Sequence, residues 1–300
     1  MHQQALPPWD FSAWMAHELG RVEQALSRWV RADAPAGLGV AMRYAVTGGG
    51  KRLRPLLVLA ASQAAQGQAE AALRGACAVE LIHAYSLVHD DMPCMDNDVL
   101  RRGKPTVHVQ FGQAQALLAG DALQALAFEL LTPEEGVEPG LQARLCRLLA
   151  RAAGSEGMAG GQAIDLANVG RQLDEEALRH MHRLKTGALL QASVEMGAAC
   201  GRAAAPACAA LARYGAAIGL AFQVVDDVLD VTADSATLGK TAGKDAASSK
   251  PTYVSLMGLD GARAHAQVLR ADALEALAQS GLPDVRALAA LADMVVQRTH

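Results

Sequence analysis

The chain has 300 residues, 51% of them hydrophobic and 19% charged, with a net charge of −4 at pH 7. That length buries a large core, near the upper limit for a single one, and the composition is globular rather than disordered. The acidic balance leaves no basic footprint, which argues against nucleic acid as a partner.

Aromatic residues are only 4% of the chain, while Ala and Leu are abundant, and this favours helix over strand. The N-terminal stretch MHQQALPPWDFSAWM has no Lys or Arg before Arg21 and no apolar segment of signal-peptide type. No uncharged apolar run reaches about 18 residues, so no transmembrane helix and no stable membrane insertion are expected. Next comes GGGKRLRPLLVLAASQAA, a glycine-rich turn feeding a buried helix, with Lys51, Arg52 and Arg54 at its start. A long apolar stretch then ends in LVHDDMPCMDND, where Pro93 should stop the helix just after Asp90 and Asp91. Arg101 and Arg102 follow in RRGKPTVH. Loops are expected at 132–140 and 280–284, and a long one, rich in Ser, Gly and Lys, at 233–252. Between them lie Lys185, in KTG, and the helix-like GLAFQVVDDVLDV. No alternating strand pattern of convincing length is present, and one all-α domain over 1–300 is the expectation. The five cysteines are odd in number and form no CxxC pair, so they read as reduced thiols of a cytoplasmic protein.

The acidic clusters carry the chemistry. On the first helix His83, Ser86 and Asp90 share one face, and Leu81, Tyr85 and Val88 a neighbouring apolar one. The carboxylates thus sit at a helix C-terminus, where the dipole already favours cations. Alone, such a cluster is either a solvated turn or a cation site. A second cluster tips the balance. Gly219, Gln223, Asp226 and Asp230 fall on one face of one helix, with Asp227 beside them. Oxygen ligands one turn apart suit Mg²⁺, which keeps waters and is completed by substrate phosphates. No HExxH or CxxC suggests zinc, and no GxxxxGK[ST] suggests Walker-type nucleotide chemistry. Basic residues flank both clusters, and Arg and Lys complement diphosphate. Lys240, Lys244 and Lys250 lie in the loop after the second cluster.

DDMPCMD with the following NDVLRRGKPTVH, and DDVLD within FQVVDDVLDV, resemble the two aspartate-rich motifs of trans (E)-polyprenyl diphosphate synthases. GGGKRLRP, GQAIDL, KTG and LGKTAGKD…KPTYVSLMG fall in that family's order, from Gly48 to Gly258. Asn97 departs from the pattern, since many members have Asp there. The resemblance implies an all-α isoprenoid synthase fold, a bundle of about ten or more helices around a central elongated cavity, and a homodimer. It implies head-to-tail condensation of isopentenyl diphosphate with allylic diphosphates and up to three Mg²⁺ per site. On it, Asp90, Asp96 and Asp226 hold the metal, with Asp91, Asp227 and Asp230 supporting them. Lys51, Arg54, His83 and Arg102 bind the diphosphate of isopentenyl diphosphate. Arg101, Lys185 and Lys240 bind that of the allylic partner. Thr186, Gln223, Gln162 and Asp165 are polar groups near the reacting carbons. Tyr85, five positions before the first aspartate, resembles the aromatic of farnesyl (C15) synthases and, with Ser86, is the expected chain-length determinant; a geranylgeranyl (C20) product is the alternative. A terpene cyclase needs no second diphosphate site, and a non-catalytic regulatory subunit should have lost aspartates. Here GGGKRLRP and the paired arginines supply a second diphosphate site, and both aspartate clusters are intact.

Overall fold

The computed structural model describes residues 9–47, 49–171, 173–232 and 252–298. Helices dominate it. Helix α1 (Phe11–Trp29) starts at Asp10, whose carboxylate accepts from the backbone N–H of Ser12 and Ala13. After α2 (Leu38–Val46) and α3 (Leu53–Ala64) comes α4 (Ala69–Asp90), which is apolar over most of its circumference and buried accordingly. Helices α5 (Val107–Phe111), α6 (Gln113–Leu131), α7 (Pro139–Ala153), α8 (Met158–Ala167) and α9 (Glu175–His182) follow. A single π-turn, Arg183–Gly187, joins α9 to α10 (Ala188–Ala199). The chain closes with α11 (Ala205–Thr232), α12 (Tyr253–Ala278) and α13 (Arg286–Gln297).

Two apolar clusters form the core. One gathers α1, α2, α4, α6 and α7 around residues such as Leu26, Leu81, Leu123 and Leu149. The other gathers α11, α12 and α13 around Leu211, Tyr214, Ile218 and Leu291. Helices α3 and α10 pack against each other and give residues to both. The C-terminal ends of α4 and α11 therefore rise from different halves of one packed structure, and these ends carry the two aspartate clusters.

The expected stops are observed. Helix α4 ends at Asp90, and loops occupy 132–138 and 279–285. The loop expected at 233–252, with Lys240, Lys244 and Lys250, lies outside the described residues except for Thr252. Two features were not visible in the sequence. A short antiparallel hairpin pairs β1 (Leu100–Arg101) with β2 (Lys104–Pro105). Its turn residues Arg102 and Gly103 both have positive φ, as a tight primed hairpin turn requires. Strands of two residues are too short to show alternation in sequence. Three helices, Ala69–Asp90, Gln113–Leu131 and Ala205–Thr232, are also long and apolar enough to cross a membrane by length and composition. Scattered charges had broken their uncharged runs in the sequence. Their apolar windows are 67%, 39% and 50% buried inside the protein, so α6 is the one with most left uncovered.

Candidate active site

The basic loop before α3 owes its shape to Arg52. This residue takes a left-handed conformation (φ 47°) and turns its guanidinium inward, leaving the residue 4% exposed. There it donates to Glu23 (2.7 Å), Glu80 (2.6 Å) and the Val46 carbonyl (2.6 Å). A buried cation held by two carboxylates and a carbonyl is compensated. Lys51 stays exposed and Arg54 half-buried, and both lie within electrostatic reach of Asp226. The Arg54 Nε–H is buried with no acceptor, which costs free energy unless a ligand oxygen supplies one. Burial brings the Arg54 guanidinium down to about 10, against the pull of Glu80 and Asp226. His83 lies close to Arg54 and Arg102, and burial together with those cations drives its pKa well below the usual histidine value, so the ring is neutral. Arg102 donates to the Gly49 carbonyl, tying the hairpin to the glycine loop. The predicted group of Lys51, Arg54, His83 and Arg102 is therefore assembled in one place.

The first aspartate cluster folds back on its own helix. The N–H of Asp96 donates to the Asp90 carbonyl at 2.9 Å, which brings the two side chains into one neighbourhood. Asn97 makes the turn at φ 51°, a conformation that Asn tolerates better than most residues. Asp90 stands half-buried. Burial pushes its carboxyl up to about 6; Asp96 and Asp91 add repulsion, while Lys185 and Arg101 oppose it. Asp91 points the other way, 3% exposed, and accepts a forked pair of bonds from Arg101 at 2.5–3.0 Å. Arg101, expected to meet diphosphate, is thus committed to Asp91 here.

The second cluster divides similarly. Asp227 is 2% exposed and accepts from Gln223 Nε2 (2.9 Å) and from the backbone N–H of Tyr253 (2.8 Å). Gln223 accepts in turn from Thr186 (3.1 Å). One hydrogen-bonded chain thereby links the π-turn, α11 and the start of α12. Asp230 is 5% exposed, whereas the Asp226 carboxylate is open and meets Arg298 at 2.7 Å. Arg298 also donates to the Phe222 carbonyl (2.5 Å) and lies 3.8 Å from the Phe222 ring centre. Sequence reasoning missed this arginine, which lies far along the chain from Asp226 with no motif around it. On the π-turn, Lys185 is paired with Asp165 at 2.6 Å and is near enough to Asp90 to act on it. Both side-chain polar atoms of Gln162 are buried without partners. The turn is clasped by glycines: a Cβ at Gly219 would lie 2.9 Å from the Gly187 Cα, and one at Gly161 would collide with the Lys185 backbone.

Tyr85 is half-buried on α4 and packs against the first core cluster, its ring edge-on to His89 at 5.6 Å. The Ser86 hydroxyl donates to the His83 carbonyl (2.9 Å). A cavity of about 630 Å³ opens beside Lys51, with Phe11, Met15, Phe222 and Arg298 in its wall.

Among the described residues no group of three or more His, Cys, Asp or Glu side chains forms a ready-made metal cage. The open carboxylates still fit Mg²⁺. That ion takes one or two protein carboxylates and completes its shell with water and phosphate oxygens. The upward shift at Asp90 is the strain that a bound cation would relieve.

The sequence profile described as polyprenyl synthetase matches residues 36–288. The chain belongs to this family. It is 46% identical over 301 aligned positions to the farnesyl diphosphate synthase of Escherichia coli, covering 96% of this chain and 99% of that protein. It is 45% identical to the chloroplastic geranylgeranyl pyrophosphate synthase of Catharanthus roseus, covering 97% and 82%. The crystal structure of an FPP/GFPP synthase from Zymomonas mobilis superposes with a TM-score of 0.85 at 42% identity, over 95% of this chain and 98% of that one. The family's all-helical isoprenoid synthase fold is therefore the fold of this chain.

Proposed function

We propose that this protein condenses isopentenyl diphosphate with dimethylallyl and geranyl diphosphates, releasing inorganic diphosphate and giving (2E,6E)-farnesyl diphosphate. The observation that carries this reading is the pairing of two open carboxylates, Asp90 and Asp226, with a separate basic cluster whose Arg54 N–H lacks an acceptor. One arrangement suits a metal-bound diphosphate and the other suits a second diphosphate. A reaction that joins two diphosphates needs both.

Asp90, Asp96 and Asp226 would hold Mg²⁺, up to three ions per site. When bound, the metal neutralises charge on the departing diphosphate. Lys185 adds a cation on the same side, oriented by Asp165. Lys51, Arg54 and Arg102 grip the other diphosphate, and neutral His83 offers it a hydrogen bond without competing for charge. The Thr186–Gln223–Asp227 chain fixes polar groups where the allylic cation forms. Apolar helix faces keep water from that cation. The double bond of isopentenyl diphosphate attacks it, and the proton then lost passes to the released diphosphate, since no strong side-chain base stands by.

Relatives with farnesyl names lie at 44–52% identity and those with geranylgeranyl names at 42–45%, which leans toward a C15 product while the ranges overlap. Tyr85 favours C15, as a ring beside the path of a chain that grows away from Asp90. The exposed apolar side chains of Val109, Leu117 and Leu118 on α5 and α6 support a homodimer. The free cysteines support a cytoplasmic location, and the two core clusters sharing α3 and α10 support one domain. Incubation with isopentenyl diphosphate and each allylic diphosphate, followed by chromatography of the dephosphorylated products, tests the reading. Farnesol as main product is expected. No condensation in the presence of Mg²⁺ refutes it.

A further inference from the structure

A groove of about 660 Å³ lies on the outer side of the π-turn, between α9, α11 and α12. Its inner wall is built at helical spacing. Arg213, Ala217 and Leu220 come from one face of α11, and Arg179, Arg183 and Gly187 follow one another at intervals of four along α9 and the turn. Leu220 and Leu269 give it an apolar floor. The three arginines are exposed, and among the described residues none of them is in an ion pair. Arg213 donates only to Gln279 and Arg183 only to His180. The remaining wall carries Asp272 and Glu275, and Glu275 is joined to Arg213 through Gln279, so the acidic wall weakens anion binding beside Arg213.

We propose that this groove is a second binding site, for an amphiphilic organic phosphate whose headgroup meets Arg179, Arg183 and Arg213 and whose hydrocarbon tail covers Leu220 and Leu269. Guanidinium forks suit phosphate, and the floor suits an alkyl or prenyl tail. The site is distinct from the catalytic one. On α11 the carboxylate of Asp226 and the groove residues lie on different faces. On the turn, Arg183 faces the groove and Lys185, two residues on, faces Asp165. One turn of backbone separates the two sides. Arg183 and Gly187 line the groove and flank Lys185 and Thr186 on the same turn, and glycines clasp that turn closely, so an occupant of the groove is coupled to them through the backbone. Binding itself does not depend on the proposed function; its effect on condensation does.

Calorimetric titration with dodecyl phosphate, below its micelle concentration, tests binding. The catalytic side is first saturated with inorganic diphosphate and Mg²⁺. One equivalent of dodecyl phosphate should still bind. Arg179→Ala combined with Arg213→Ala should weaken that binding at least tenfold, with unchanged melting temperature and unchanged kcat and KM when no dodecyl phosphate is present. Asp272→Asn combined with Glu275→Gln should tighten it, which tests the site without touching the arginines. Where condensation is measurable, dodecyl phosphate should show a non-competitive component that the double arginine variant loses. Absence of diphosphate-resistant binding in the wild type, or equal affinity in the wild type and both variants, overturns the proposal. Failure of condensation with binding intact overturns only the function proposed above.

Discussion

The two aspartate clusters solve one electrostatic problem in two ways. Each contains adjacent aspartates of which one faces in and one faces out. In the first, the inward Asp91 is held by a guanidinium from a hairpin, and the outward Asp90 is left strained, pushed up to about 6. In the second, the inward Asp227 is held by neutral N–H donors, and the outward Asp226 is matched by Arg298. The difference follows from position. Both clusters stand at the negative end of a helix, where the dipole repels their carboxylates, but the first is followed by the hairpin that carries Arg101. The second lies near the end of a long helix, where the start of α12 supplies an N–H. The inward residue of each pair builds the site, and the outward residue serves the ligand.

Substitutions can break this division of labour. Asp90→Asn and Asp226→Asn should each lower kcat by several orders of magnitude while circular dichroism stays helical, since each removes charge stabilisation in the transition state and no buried bond. Loss of the helical signal would mean that the outward residues are structural. Arg54→Ala tests the basic cluster that neither aspartate pair touches. Removing one charge-assisted bond to phosphate costs about 1.5–3 kcal/mol, so KM for isopentenyl diphosphate should rise roughly ten- to a hundredfold, and more than KM for the allylic substrate. Equal rises would place Arg54 at the wrong diphosphate. For the inward residues the readout is stability. Asp227→Ala strands the donors of Gln223 and Tyr253 and should cost about 2–4 kcal/mol in denaturant melts, well above the cost of Asp226→Ala. Tyr85→Ala should shift products from C15 to C20 or longer at little cost in the first condensation, read by chromatography; unchanged C15 would acquit the ring. The smallest effect concerns pH. Burial lowers His182 to about 4, so its ring is neutral in the folded protein and protonates more readily when unfolded. The His182 contribution to stability should therefore fall as pH drops from about 6.5 toward 4, by up to about 1.4 kcal/mol per pH unit for one proton, with Asp90, pushed up to about 6, acting in the opposite sense. His182→Gln should flatten that slope.

The sequence carried the local features and concealed the distant ones. Helical spacing placed Asp90, Ser86 and His83 on one face, and Pro93 marked where α4 stops, because both depend on neighbours within two turns. The same arithmetic grouped Gln223 with Asp226 and Asp230. It could not reveal that Arg101 would meet Asp91 through a hairpin of two-residue strands, nor that Arg52 would be drawn inside by Glu23 and Glu80. Those pairings depend on how whole helices pack. Arg298 was hidden most completely, since its partner lies on the packed helix α11, far back in the chain, and its surroundings in the chain are ordinary. The membrane-length character of three helices was hidden for a related reason: single charges interrupt α4, α6 and α11 without making them less apolar overall.

The π-turn before α10 has a consequence for insertions and deletions. A π-turn holds one residue more than the α-helical turn it replaces. Removing any one residue of Arg183–Gly187 would let α9 and α10 fuse into a continuous helix. The π-turn and the α-turn that would replace it sweep about the same rotation, so the faces of α9 and α10 would keep their phase. Leu189, Leu190 and Val194, now fully buried, would stay on the core, while Lys185 and Thr186 would lose their present placement on the turn. Loss of a single residue here would therefore spare the packing and disturb the site, so the extra residue of this five-residue segment serves the placement of Lys185 and Thr186 rather than the bundle.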